Sequence, residues 1–157
     1  AQAFDNNRCD VLTSDTSQLA ALRTQLSDPD GAVILPEVIS KEPLGPVVRQ
    51  GDDEWFNVVK WVLFGQINAE EYGISSANVD EMESSDNPSV QRIVGTSGNM
   101  GEILGLDDDF MVDVISQVGN YGEMFERNVG PNTPIGLSRG VNELWTEGGI
   151  LYAPPFR

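Results

Sequence analysis

Three features of the sequence predict an α/β chain whose carboxy-terminal part is mostly helical. A strand, tight turn, helix and second strand follow one another near the amino terminus, and a proline-interrupted extended stretch comes next. From residue 54 onward, apolar residues recur at helical spacing between turn signals. The first strand is Cys9-Asp10-Val11-Leu12-Thr13, read as short and buried; the residues before it look like the end of an element running into a turn. Asp15 and Thr16 are good capping residues for a helix carrying Leu19, Ala20, Leu22, Arg23 and Leu26, which Ser27-Asp28-Pro29-Asp30-Gly31 breaks. Val33-Ile34-Leu35 is a second strand, stopped by Pro36. Leu44-Gly45-Pro46-Val47-Val48-Arg49 is extended, and its glycine and proline, with Pro43 before them, mark a connection rather than a central strand.

Gln50-Gly51-Asp52-Asp53 is a turn with a strong N-cap for a helix over residues 54–72. Its apolar residues, among them Trp55, Phe56, Trp61, Leu63, Phe64 and Ile67, exceed one narrow stripe, so burial on much of its circumference is expected. Short helices are expected over residues 78–84 and 86–94, the latter with Pro88 in its first turn and Gly95 as its stop. Residues 96–101 read as a glycine-rich loop. Leu106-Asp107-Asp108-Asp109 opens a helix over 110–127 with weak points at Gly119 and Gly122. A last helix is expected over 136–145, then an extended tail over 148–157; no internal repeat or low-complexity tract is visible.

Composition narrows the chemistry. The chain has 157 residues, 25 Asp+Glu against 9 Lys+Arg and a formal charge of −16, so its phosphate term with DNA, RNA or an anionic membrane is repulsive. With 39% apolar residues it has the material for a core. The absence of histidine removes Ser-His-Asp triads, histidine zinc sites and imidazole switches. One cysteine, Cys9, excludes an internal disulfide and a cysteine-clustered metal site. No apolar run approaches the roughly 20 residues of a membrane span, and no basic segment followed by an apolar one opens the sequence. A soluble chain is expected, with any export signal elsewhere or removed.

Most candidate motifs have ordinary readings. Asp107, Asp108 and Asp109 complement the positive end of a helix dipole and lack the spacing of a calcium loop. Gly95-Thr96-Ser97-Gly98-Asn99-Met100-Gly101 has the glycines of a phosphate loop but neither its lysine nor a preceding strand. Neither points to a metal or a cofactor. The unit that carries information is Asp10-Val11-Leu12-Thr13-Ser14-Asp15-Thr16-Ser17, which sets a carboxylate, Asp15, at the end of a strand and the edge of a helix. In open α/β sheets ligands bind outside the carboxyl ends of strands, so this is an address for a binding aspartate. It is equally an address for a helix N-cap, and the local pattern leaves both readings open.

Arg8-Cys9-Asp10-Val11-Leu12-Thr13-Ser14-Asp15, Ile39-Ser40-Lys41-Glu42-Pro43-Leu44-Gly45-Pro46-Val47-Val48-Arg49 and Val118-Gly119-Asn120-Tyr121-Gly122-Glu123-Met124-Phe125-Glu126-Arg127-Asn128 together resemble the general L-amino-acid-binding periplasmic proteins of ABC uptake systems. Those are a branch of the type II periplasmic solute-binding proteins. Phe64-Gly65-Gln66-Ile67-Asn68-Ala69-Glu70-Glu71-Tyr72-Gly73-Ile74 and Leu144-Trp145-Thr146-Glu147-Gly148-Gly149-Ile150-Leu151-Tyr152-Ala153-Pro154-Pro155 fit the same branch, so the resemblance covers essentially the whole chain.

The resemblance implies the carboxy-terminal half of a two-lobed protein about twice this length. Residues 1–40 are then the end of the second lobe, 41–48 the hinge crossover, and 49–157 a strand and helices packing on the first lobe. It places Asp15 where the family holds the α-ammonium group of the ligand, with Ser14 and Thr16 as weaker hydroxyl contacts, and it implies no catalytic residue, metal or cofactor. The implied partners are an L-amino acid, a membrane permease and the missing amino-terminal half, and the implied location is the periplasm. It also allows Cys9 to pair with a cysteine outside the chain. Two alternatives stand beside this reading. One is a dehydratase-like enzyme of the same fold, with Asp15 or Glu37 as its acid or base; the other is a helical protein-interaction fragment.

Overall fold

A computed structural model describes residues 1–157. They divide into two compact units, residues 1–45 with 126–138 and residues 46–125 with 139–157. The first unit contains helices α1 (Gln2–Asp5) and α2 (Thr16–Arg23). The Asp5 carboxylate accepts from the Ser27 backbone N–H at 2.8 Å and from its hydroxyl at 2.7 Å, which ties the segment after α2 back to α1. Ala20 is the buried residue of α2.

The expected strands do not form ladders. Residues 9–13, 33–35 and 44–49 are unpaired, and the β-bridge present in the chain joins Leu144 to Leu151 in parallel. A strand is stabilised by a neighbour that takes its backbone N–H and C=O groups, and none of these segments has one. Burial follows suit: Cys9, expected inside, is an exposed free thiol, and Val11, Val33 and Leu35 are 69%, 78% and 66% exposed.

The second unit is built on α3 (Asp53–Glu71), whose N-cap Asp52 accepts from the Trp55 N–H at 3.1 Å. Its two ends differ. Trp55 and Phe56 are 55% and 49% exposed, whereas Gly65, Gln66, Ile67, Asn68 and Ala69 are all buried, so circumferential burial holds for the carboxy-terminal half of the helix. Around it lie α4 (Val79–Met82), α5 (Pro88–Ile93), α6 (Met100–Leu104) and α7 (Phe110–Val118). The core joins Ala69, Ile74, Val79, Val90, Ile93, Val94, Phe110, Met111 and Ile115 to Phe156 from the tail. Phe156 meets Trp61 edge-on at 5.5 Å and stacks with Phe110 at 6.4 Å, so the tail anchors the core it crosses.

Three helical expectations change. Residues 100–101, read as the end of the glycine-rich loop, begin α6, and no helix was expected there. The helix expected over 110–127 is two, because Gly119 (φ +82°) ends α7 before α8 (Tyr121–Asn128). Buried side chains hold that break: Gln66 donates to the Gly119 carbonyl at 3.1 Å and Asn120 to the Ile74 carbonyl at 2.8 Å. Residues 136–145 are not a continuous helix. Gly136 (φ +69°) and Gly140 (φ +53°) take left-handed backbone, and only short 3-10 turns occur at Gly140–Asn142 and Trp145–Glu147.

Two motifs of the sequence account for each other. A Cβ on Gly95 would lie 2.1 Å from the Asp108 carbonyl oxygen, and one on Gly101 would lie 2.1 Å from that of Asp107. The glycines flanking the loop therefore let the triple-aspartate backbone pack close. Asp108 also accepts from the Glu102 N–H at 3.1 Å, which is local structure rather than a ligand site. No group of three or more His, Cys, Asp or Glu side chains is arranged to hold a metal ion.

Candidate ligand-binding site

Asp15 lies in the first unit, half-buried, with φ −64° and ψ 153°, the extended geometry of an N-cap residue. Its Oδ1 accepts from the Gln18 backbone N–H at 2.8 Å and from the Ser17 hydroxyl at 2.8 Å. Oδ2 receives no donor from another residue. The Gln18 N–H bond first, and the Ser17 hydroxyl second, hold the carboxyl below the usual carboxylate range. Asp15 is thus a carboxylate with one oxygen fixed by the helix start and the other taking no donor from another residue. It can cap α2 and accept from a cation at once.

The neighbouring hydroxyls differ. Ser14 Oγ bonds the Gln18 side-chain amide oxygen, which orients it within the turn. Thr16 is exposed at the first position of α2 and its hydroxyl makes no hydrogen bond to the chain. The three residues are consecutive at the start of α2. Two clefts in the second unit, about 500 Å³ at residues 49–54 and about 280 Å³ bordered by Asn68, Trp145 and Tyr152, do not include Asp15. Glu37, the other candidate acid, is exposed on an unpaired segment.

One charged arrangement has no counterpart in the sequence reading. Arg139, 9% exposed, donates to both carboxylate oxygens of Glu70 at 2.7 and 3.1 Å and to the Asn142 carbonyl at 2.9 and 3.0 Å. Its guanidinium also lies 5.4 Å from the ring centre of Tyr121 and 5.5 Å from that of Phe125. Burial opposes its charge, and the bond and charge of Glu70 more than offset this, so its pKa is raised. With four of its five N–H donors bonded within the fold, Arg139 forms with Glu70 a structural clamp within the second unit. Sixty-nine residues separate the partners, and no local pattern links them.

No family model matches the chain. It is 56% identical over 157 residues to the general L-amino acid-binding periplasmic protein AapJ of Rhizobium johnstonii, covering 99% of this chain and 46% of that protein. Over its whole length, the chain is homologous to periplasmic amino-acid-binding proteins of ABC transporters. The glutamate/glutamine/aspartate/asparagine-binding protein BztA of Rhodobacter capsulatus is 52% identical, again over 99% of this chain and 46% of the relative. Among solved structures, an ABC transporter periplasmic binding protein from Brucella ovis with glutathione bound superposes with a TM-score of 0.94 at 51% identity, covering 99% of this chain and 49% of that one. The chain therefore has the backbone of part of a periplasmic binding protein, and it spans about half the length of the curated relatives it matches. Those relatives are named as binding proteins, not as enzymes.

Proposed function

We propose that the whole protein is the periplasmic solute-binding component of an amino-acid ABC uptake system, capturing L-amino acids between two lobes and delivering them to a membrane permease. The observation that carries this reading is 52–56% identity, along the entire chain, to proteins named for binding amino acids. In this reading residues 1–40 end the second lobe, 41–48 form the hinge crossover and 49–157 belong with the first lobe.

Asp15 receives the α-ammonium group of the ligand, and Ser14 and Thr16 supply hydroxyl contacts. A buried ammonium needs a charged acceptor, because its desolvation is otherwise prohibitive. The Asp15 carboxylate, with Oδ1 bonded to Gln18 and Ser17 and Oδ2 taking no donor from another residue, supports the role. Glutathione, bound to the Brucella ovis neighbour, keeps a free α-ammonium and α-carboxylate on its glutamyl end, so it shares with free amino acids the group Asp15 is proposed to hold. Calorimetry of the full-length protein against a panel of L-amino acids, with glutathione included, tests the reading. Saturable binding of several amino acids is expected. Binding of none of them, or turnover of a bound compound, would contradict it.

A further inference from the structure

The smaller of the two clefts, about 280 Å³, lies entirely within the second unit, between the end of α3, α5, Trp145 and the tail. Buried groups fix its walls. Asn68 donates to the Pro154 carbonyl at 2.9 Å, and Ala153 and Phe156 are 6% and 4% exposed, so the tail is pinned on both sides of Pro154 and Pro155. The Trp145 indole N–H donates to the Glu71 carboxylate at 3.2 Å, and its ring meets Tyr152 edge-on at 5.6 Å. The two residues remain 50% and 68% exposed, an aromatic surface that the fold orients and leaves open.

The charges at this cleft run against those of the chain. Acids outnumber bases 25 to 9 overall, yet the border of the cleft holds two arginines, Arg92 and Arg157, against one acid, Glu71. Trp145 engages Glu71, whereas neither guanidinium makes an ion pair or a hydrogen bond within the chain. The Ser89 hydroxyl on the same border also has no partner; only its backbone N–H is bonded, to Asn87. Three donor groups left open by the fold therefore share a cleft with two open rings. A cation would suit the rings and Glu71 but not the arginines, and an aliphatic anion would leave the rings unused.

We propose that this cleft binds a small aromatic carboxylate, whose anionic group is held by Arg92, Arg157 and Ser89 and whose ring lies against Trp145 and Tyr152. A guanidinium fork matches the two oxygens of a carboxylate, and the hydroxyl adds a neutral donor. The volume sets the size. Ligand pockets usually run from about 300 to 1,000 Å³, so a cleft of about 280 Å³ takes a single ring with a short acid rather than a fused or long-chain compound. The site shares no residue with the turn that carries Asp15, and it stands or falls separately from amino-acid capture.

Calorimetry of the full-length protein with phenylacetate, acetate and phenylacetamide tests the proposal. Saturable one-to-one binding of phenylacetate is expected, at least about tenfold tighter than that of acetate, which lacks the ring, and of phenylacetamide, which lacks the charge. Arg92→Gln is expected to weaken phenylacetate at least about tenfold, and Tyr152→Leu at least about threefold. Both positions are exposed, so folding is spared, and L-amino-acid binding by both variants is expected to be unchanged. The Trp145 indole N–H resonance, assigned by its loss in Trp145→Phe, should shift as phenylacetate saturates, and a saturating L-amino acid should not displace phenylacetate. No binding of phenylacetate, equal binding of acetate or phenylacetamide, an unmoved Trp145 resonance, unaltered binding by either variant, or displacement by the L-amino acid would each overturn the proposal. Phenylacetate bound as described by a protein that binds no L-amino acid would support the cleft and contradict the proposed function.

Discussion

The Asp15 carboxylate commits Oδ1 to Gln18 and Ser17 and leaves Oδ2 without a donor from another residue, so capping and ligand binding are compatible roles. Substitution separates them. Asparagine is as good an N-cap as aspartate but carries no charge, so Asp15→Asn is expected to retain the thermal midpoint of the chain while Asp15→Ala lowers it. Acid acts on the same group. Its folded-state pKa is lowered by the Gln18 N–H first, and that of Asp5 by the Ser27 hydroxyl first and the Ser27 N–H second. A depressed pKa contributes stability that is full above the ordinary carboxylate range and is lost as pH falls through the lowered values. NMR titration of the side-chain carboxyls should place both midpoints below the ordinary aspartate value, and melting should become acid-sensitive in that window. The buried clamp gives a larger effect: Arg139→Met strands the Glu70 carboxylate at 15% side-chain exposure and should cost about 3 kcal/mol by denaturant unfolding. The Arg139→Met, Glu70→Met double variant should cost less than that single one.

Helix α3 was legible because its signals are local: Asp52 caps it and its apolar residues run without a breaker, so the expected 54–72 differs by one residue at each end from Asp53–Glu71. The strands were legible as extended apolar segments, but a ladder depends on a neighbour, and that information lies outside the segments themselves. Residues 136–145 failed for the opposite reason. Their local pattern favoured a helix, and left-handed Gly136 and Gly140, with the distant tie of Arg139 to Glu70, set another path. Asp15 was legible as an address, with its two roles undecided; the Glu70–Arg139 pair was illegible because only the fold brings it together. Helix contacts yield a further prediction. A Cβ at Gly65 would lie 2.6 Å from the Met111 sulfur and 3.1 Å from Phe156, so Gly65→Ala should destabilise the second unit by about 1–3 kcal/mol in chemical denaturation. No change in the unfolding midpoint would show that the Met111 side chain moves aside freely.

At the scale of the whole molecule, histidine-free acidity and an ionised aspartate at the start of α2 fit a carrier that holds its ligand with carboxylate, hydroxyl and backbone groups. The proposed role of Asp15, acceptor for the ammonium group common to the ligands, is tested by calorimetry on the full-length protein with and without Asp15→Asn. Because the variant keeps the cap and removes only the charge, affinity for every bound L-amino acid is expected to fall at least about a hundredfold while folding is preserved. Binding by Asp15→Asn as tight as that of the unaltered protein would contradict it.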